Sequence, residues 1–151
     1  MNPDLHQCIQ LRYAVLEVAN NLKQTLGIPM NFEFSEEQLM LREQARGFLK
    51  QHCPPAIVRK VLDGDEQYDA GLWQQIADMG WTATTIPEEY GGLGLSYYEL
   101  AVIAEELGRA VAPVPFSSSV YLATEAIIRF GSSEQKNHWL PRLAHNFASV
   151  L

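Results

Sequence analysis

The sequence is poor in cysteine, in basic residues and in long apolar runs, and each shortage removes a class of function. Only two cysteines, Cys8 and Cys53, occur in 151 residues. They match neither a zinc pattern nor a dense disulfide framework, so a reducing compartment is the expectation. Eleven Lys and Arg against eighteen Asp and Glu give a net charge of −7, which argues against nucleic acid as a partner. No uninterrupted apolar run approaches the roughly 20 residues of a membrane helix, and the N-terminus lacks a basic region followed by an apolar stretch. No membrane span is predicted, and a cytoplasmic location is the default. His6, His52, His138 and His145 show no ligand spacing with one another or with cysteine, so no metal is predicted. A convincing two-residue alternation of strand type is also missing.

Helical periodicity is what remains. With 47% hydrophobic and 19% charged residues the chain reads as globular, and at this length one domain buries roughly 68–70% of its unfolded surface. Leu5, Ile9, Tyr13, Leu16, Ala19, Leu22 and Leu26 mark an amphipathic helix ended by Gly27 and Pro29, within an N-terminal extension over 1–31 to which no function is assigned. Ser35 with Gln38 forms a capping box for a helix whose stripe is Phe34, Leu41, Ala45 and Phe48, stopped by Pro54 and Pro55. A short helix follows through Ile57–Leu62. Asp69 caps another, carrying Leu72, Trp73, Ile76 and Met79, with Gly80 suited to the left-handed C-terminal position. Ser96 with Glu99 caps a helix that is apolar nearly all round from Tyr97 to Ala104, its end supported by a Glu105–Arg109 pair. A helix over about Phe116–Phe130 is expected to bury Val120, Ala123, Ile127 and Phe130. Ser132 or Ser133 caps the last one, in which Pro141 predicts a kink or two short pieces. The fold class is all-α, a compact bundle of five or six helices over 32–151.

Chemistry-bearing motifs are few. Gly91-Gly92-Leu93-Gly94 follows no strand, does not spell G-x-G-x-x-G and has no P-loop lysine, so it reads as a tight turn and a close backbone approach. No Gly-x-Ser-x-Gly elbow is present. Glu88, Glu89, Glu99, Glu105 and Glu106 carry no signature of a catalytic base; solvated or capping roles suit them better, and no catalytic residue is nominated.

The strongest signal is the run Ile86-Pro-Glu-Glu-Tyr-Gly-Gly-Leu-Gly-Leu-Ser96, continued by Tyr97–Ala110, by Gly131-Ser-Ser-Glu-Gln-Lys136 and by Trp139–Ala144. From about Phe32 to Leu143 the chain resembles the helical N-terminal domain of the acyl-CoA dehydrogenases. The resemblance implies an FAD cofactor, an acyl-CoA substrate oxidised between Cα and Cβ, and an oligomer or a heteromeric partner. It places the glycine turn and Tyr90 near the substrate and flavin cleft; Tyr90 would supply an aromatic wall there, or else bury its ring and satisfy a loop carbonyl. It also makes Phe116, Ser118, Ser119 and Leu122 the acyl-pocket face of their helix. The residues agree with that placement, since Ser119 and Ala123 are small and one turn apart while Phe116 and Leu122 are apolar, although ordinary helix packing uses the same residue types. The family's base and most of its flavin contacts belong to later domains that this sequence does not contain. Three readings follow: a piece of a dehydrogenase inactive alone, a helper subunit docked on a partner with the missing domains, or a stand-alone helical acyl carrier. Related oxidases and nitroalkane-oxidising flavoenzymes share the pattern, so the electron acceptor stays open.

Overall fold

The computed structural model describes residues 34–145, and the amphipathic stretch Leu5–Leu26, Cys8 and His6 lie outside them. Among the described residues six α-helices follow one another: α1 Glu36–His52, α2 Pro55–Asp63, α3 Ala70–Asp78, α4 Tyr97–Arg109, α5 Glu125–Phe130 and α6 Ser133–Ala144. Two 3₁₀ turns, Trp81–Ala83 and Glu88–Tyr90, lie between α3 and α4, and a π-helical segment, Ser117–Thr124, runs directly into α5. No strand occurs among the described residues.

Helix starts are fixed by side chains that satisfy otherwise orphaned N–H groups. The Ser35 hydroxyl accepts from Gln38 N–H at 3.2 Å while Gln38 Oε1 accepts from Ser35 N–H at 3.1 Å. Asp69 Oδ1 accepts from Leu72 N–H at 2.7 Å. Ser96 and Glu99 close the α4 box, and Ser132, rather than Ser133, closes the α6 box with Gln135. Gly80 has φ 77°, as the end of α3 requires.

Two apolar clusters form. Ala45 and Leu49 of α1, Trp73 and Ile76 of α3, and Leu100 and Ile103 of α4 make the larger, which Trp81, Phe116 and Val120 complete. Phe48 meets Trp81 edge-on at 5.3 Å, and Trp73 meets Phe116 at 6.3 Å. Ala83, Ile86, Leu140 and Ala144 make the smaller, which seats α6 on the 3₁₀ turns. The buried Thr82 hydroxyl donates to the Ala144 carbonyl at 2.7 Å, so one side chain ties the turn to the last carbonyls of α6.

Several sequence expectations are corrected. α4 is apolar on one side only: Leu100, Val102 and Ile103 are buried, whereas Tyr98 is 71% exposed. Glu105 bonds to Arg42 of α1 at 2.9 Å and not to Arg109, which reaches Glu106 at 3.2 Å, because α1 offers the nearer guanidinium. Met79 is exposed at the C-cap of α3. Phe130, expected inside, is 85% exposed. The π-helical register explains it: buried positions run Phe116, Val120, Thr124, and the wider turn shifts the phase of every residue after them. Finally, α6 is one continuous helix through Pro141. Pro141 removes only the bond to Asn137, which is exposed to water, and the Arg142 guanidinium donates to the next carbonyl, His138, at 2.7 Å.

The carboxylate of Glu106 is 1% exposed. Arg46 donates to it through Nη2 at 2.8 Å and Nε at 3.2 Å, and Arg109 adds a third contact. These hydrogen bonds, from Arg46 above all, hold its pKa below the usual 4.5 against the opposing effect of burial.

The glycine turn folds back on Ile86. Leu93 N–H donates to Ala83 O, Gly94 N–H to Ile86 O and Leu95 N–H to Thr84 O, at 2.8–2.9 Å. Gly91 and Gly94 take φ 81° and 60°, whereas Gly92 is required for a different reason: a Cβ there would lie 2.0 Å from Ile86 O.

Two measurements test these assignments. Gly92→Ala should lower stability by roughly 2–3 kcal/mol, as overpacking against backbone does. Gly91→Ala should cost only about 1–2 kcal/mol, the price of the left-handed conformation, since its Cβ meets nothing nearer than His145 Nε2 at 4.0 Å. Equal melting temperatures for the two variants would refute the ranking. For Glu106, a depressed folded-state pKa means stabilisation that is present above about pH 4.5 and lost as pH falls through the folded value. Glu106→Gln should therefore flatten stability against pH in that acid window, as followed by urea melts; an unchanged slope would show the pair to be inert.

Candidate functional site

The sequence-derived site residues fall in two places. Phe116 immediately precedes the π-helical segment, Ser118, Ser119 and Leu122 lie within it, and Tyr90 ends the second 3₁₀ turn. Phe116 is buried against Trp73 and Tyr121, with the Tyr121 ring edge-on at 5.5 Å. Ser118 is exposed, its hydroxyl donating to Pro115 O at 3.1 Å, and Leu122 is 67% exposed. Ser119 is half-buried; its carbonyl accepts the Thr124 hydroxyl at 3.0 Å, five residues on. That bond is the π-helical spacing expressed in a side chain, so Ser119 and Ala123 do not stack as they would in an α-helix. The Ser-Ser-Ser run is a sequence signal for it, because serine competes with the backbone for hydrogen bonds and favours irregular helix.

Tyr90 packs on the smaller cluster beside α6 and Ile86. Burial and then the charge of Glu89 push its hydroxyl above the usual 10. Burial pushes Tyr121 up in the same way. Neither phenol is a base near neutral pH. Tyr97 donates to Glu125 at 2.8 Å, and Arg129 joins both, which links the start of α4 to α5.

The carboxylates considered as bases have structural work. Glu99 accepts from Ser96 and from Gln38 Nε2 at 2.9 Å, and those bonds lower its pKa. Glu106 and Glu105 hold α1. Glu88 and Glu89 are exposed on the 3₁₀ turn. No group of three metal-ligating side chains occurs among the described residues.

A dinucleotide cradle needs free backbone N–H groups, and the glycine turn offers few. Its N–H groups at 92–95 are consumed by the carbonyls of Pro87, Ala83, Ile86 and Thr84, and Ile86 fills the space over Gly92. The Thr85 hydroxyl is a buried oxygen without a partner among the described residues, one polar atom where a flavin phosphate needs several. The glycine turn by itself does not fit the phosphates of FAD.

An apolar concavity of about 620 Å³ lies elsewhere, between the C-terminal ends of α1 and α4 and one side of α2. Its wall includes Cys53, a buried free thiol that donates to Ala110 O at 3.8 Å. Burial and then the charge of Asp69 push this thiol up, away from reactivity. No sequence motif announces the concavity, because its residues come from three elements that only the fold joins.

Comparison with known proteins agrees with this architecture. A family model described as "Acyl-CoA dehydrogenase, N-terminal domain" matches residues 35–146. An acyl-CoA dehydrogenase, IpdE2, of Mycolicibacterium smegmatis is 37% identical over 101 residues, covering 66% of this chain and 32% of its own length. A solved acyl-CoA dehydrogenase of Bacillus anthracis, complexed with FAD, superposes with a TM-score of 0.66 at 30% identity over 75% of this chain and 19% of that one. The ChsE4–ChsE5 complex of Mycobacterium tuberculosis gives a TM-score of 0.61 at 29% identity, over 77% of this chain and 29% of that one. The chain thus spans a third or less of the length of these relatives. No helix among the described residues is long and apolar enough to cross a membrane. With that family model matched over residues 35–146, the chain belongs to the acyl-CoA dehydrogenase family, through that family's N-terminal domain.

Proposed function

We propose that this chain supplies one wall of the acyl and flavin cleft of an FAD-dependent acyl-CoA dehydrogenase and is inactive when isolated. The match of the family's N-terminal domain alone, over residues 35–146, carries this reading. The domain would offer Phe116, Ser118, Ser119, Leu122 and Tyr90 to the acyl chain. Ser118 and Leu122 are exposed on the π-helical segment, available to a substrate or to a neighbouring domain. Flavin binding and α-proton removal would fall to other parts of the enzyme, since Glu99, Glu105 and Glu106 are committed to caps and ion pairs. Reaction needs flavin, thioester and base within about 3–3.5 Å of one another, and one wall does not provide that.

A second reading, a helper subunit of a heteromeric dehydrogenase, is favoured by the likeness to the ChsE4–ChsE5 complex, whose name describes two chains together. The partner would then carry the remaining domains.

The purified chain should be colourless and should not reduce an acceptor dye with any acyl-CoA. A stoichiometric flavin spectrum bleached by acyl-CoA would overturn the proposal. Weak acyl binding should persist, so that a long-chain acyl-CoA raises the melting temperature slightly and Ser119→Phe abolishes the rise. A rise that survives Ser119→Phe would move the acyl site off this segment.

A further inference from the structure

We infer that the concavity between α1, α2 and the end of α4 is a binding site for an amphipathic carboxylate, a hydrocarbon chain with one anionic head. Its volume, about 620 Å³, falls within the range of roughly 300–1,000 Å³ typical of small-molecule sites. Leu49, Cys53, Pro54 and Val58 line it with apolar surface, and Leu62 and Val111, 76% and 65% exposed, extend that surface at its margins. Such exposure of large aliphatic side chains around one hollow is what a hydrocarbon would cover.

Charge selects the head group. Arg46, Lys50, Arg59 and Arg109 line the same concavity against a single carboxylate, Glu106. Glu106 is engaged by Arg46 and Arg109. Lys50 and Arg59 have no carboxylate partner among the described residues, and both are exposed. In a chain of net charge −7 with only eleven Lys and Arg, four of them on one apolar hollow form a local positive field. An ammonium or neutral head would find no complement there.

Backbone strain adds an independent observation. Val111 has φ 50°, the only positive φ outside glycine among the described residues. Its N–H donates to Gly108 O at 3.1 Å and Ala112 N–H to Leu107 O at 3.0 Å, the helix-ending turn that glycine favours. A β-branched residue there is strained, and it places an isopropyl group on the concavity that glycine would omit.

The test is a titration of laurate, below its micellar concentration, into the methyl-labelled chain by NMR. Saturable shifts are expected at Leu49, Val58, Leu62 and Val111. Dodecanol, which lacks the charge, should bind about ten-fold more weakly, as should laurate to the K50E/R59E double variant, whose altered residues are exposed and do not support the core. V111G should weaken laurate without lowering the melting temperature, since glycine accepts the backbone conformation. Shifts confined to Val120 and Leu122 would overturn the inference while leaving the proposed acyl wall intact. Equal affinity for laurate and dodecanol, or for the wild type and K50E/R59E, would also overturn it.

Discussion

Glu106 lies 1% exposed between α1 and α4, and a charge in that position is tolerable only while it is paired and hydrogen-bonded. Its pairing with Arg46 fixes where α1 sits along α4. One turn earlier Arg42 meets Glu105, and two turns earlier Gln38 meets Glu99, so a polar seam runs beside the apolar one formed by Ala45, Leu49, Leu100 and Ile103. A slide of either helix by one turn would strand the buried carboxylate and break the seam together. The apolar contacts supply most of the attraction, but they are poorly directional; the carboxylate makes the register specific. Glu99 takes part twice, since the same side chain that closes the α4 capping box also receives Gln38, the residue that closes the α1 box. Helix initiation and helix pairing are thereby coupled.

The second constraint is the contact of Gly92 with Ile86. The turn comes back so closely that no side chain fits, and Ile86 is in turn fully buried in the cluster that seats α6. Thr82 closes the other side of that seat. A loop that looks, in one dimension, like a phosphate cradle therefore spends its N–H groups on its own backbone. Its function is to lock the 3₁₀ turns under α6, which positions Tyr90 on the same cluster.

Much of this was legible in the sequence because it is local. The capping boxes at Ser35 and Ser96, the Asp69 cap and the left-handed Gly80 depend on residues three or four apart, and those spacings are written in the chain. The all-α class and the family also follow from local patterns and one motif. What failed to show depends on partners or on register. Arg109 and Glu105 have good i,i+4 spacing, yet Arg42 arrives from α1 and takes Glu105. Phe130 follows the α-helical stripe, but a π-helical stretch upstream rotates it into solvent. Of the candidate site residues, Ser118 and Leu122 are exposed while Phe116 is buried against Trp73, a difference that spacing along the chain does not encode. The concavity at Cys53 was invisible for the same reason: residues 46–62 and 106–111 meet only after α1 has found α4.

The π-helical segment sets the shape of the surface around Leu122. A π turn holds one more residue than an α turn for similar hydrogen bonding, at a packing cost that makes long stretches rare. Here it is tolerated because Phe116, Val120 and Thr124 bury its inner side at four-residue intervals, and the Thr124 hydroxyl satisfies Ser119 O directly. Outside that inner stripe Leu122 is 67% exposed, whereas the Tyr121 ring lies edge-on to buried Phe116 at 5.5 Å. The apolar outer surface of this segment is therefore produced by its register and cannot be assigned to composition alone, and converting Ser117–Thr124 to α-helical register would be expected to change the shape of that surface without removing a single apolar atom from it.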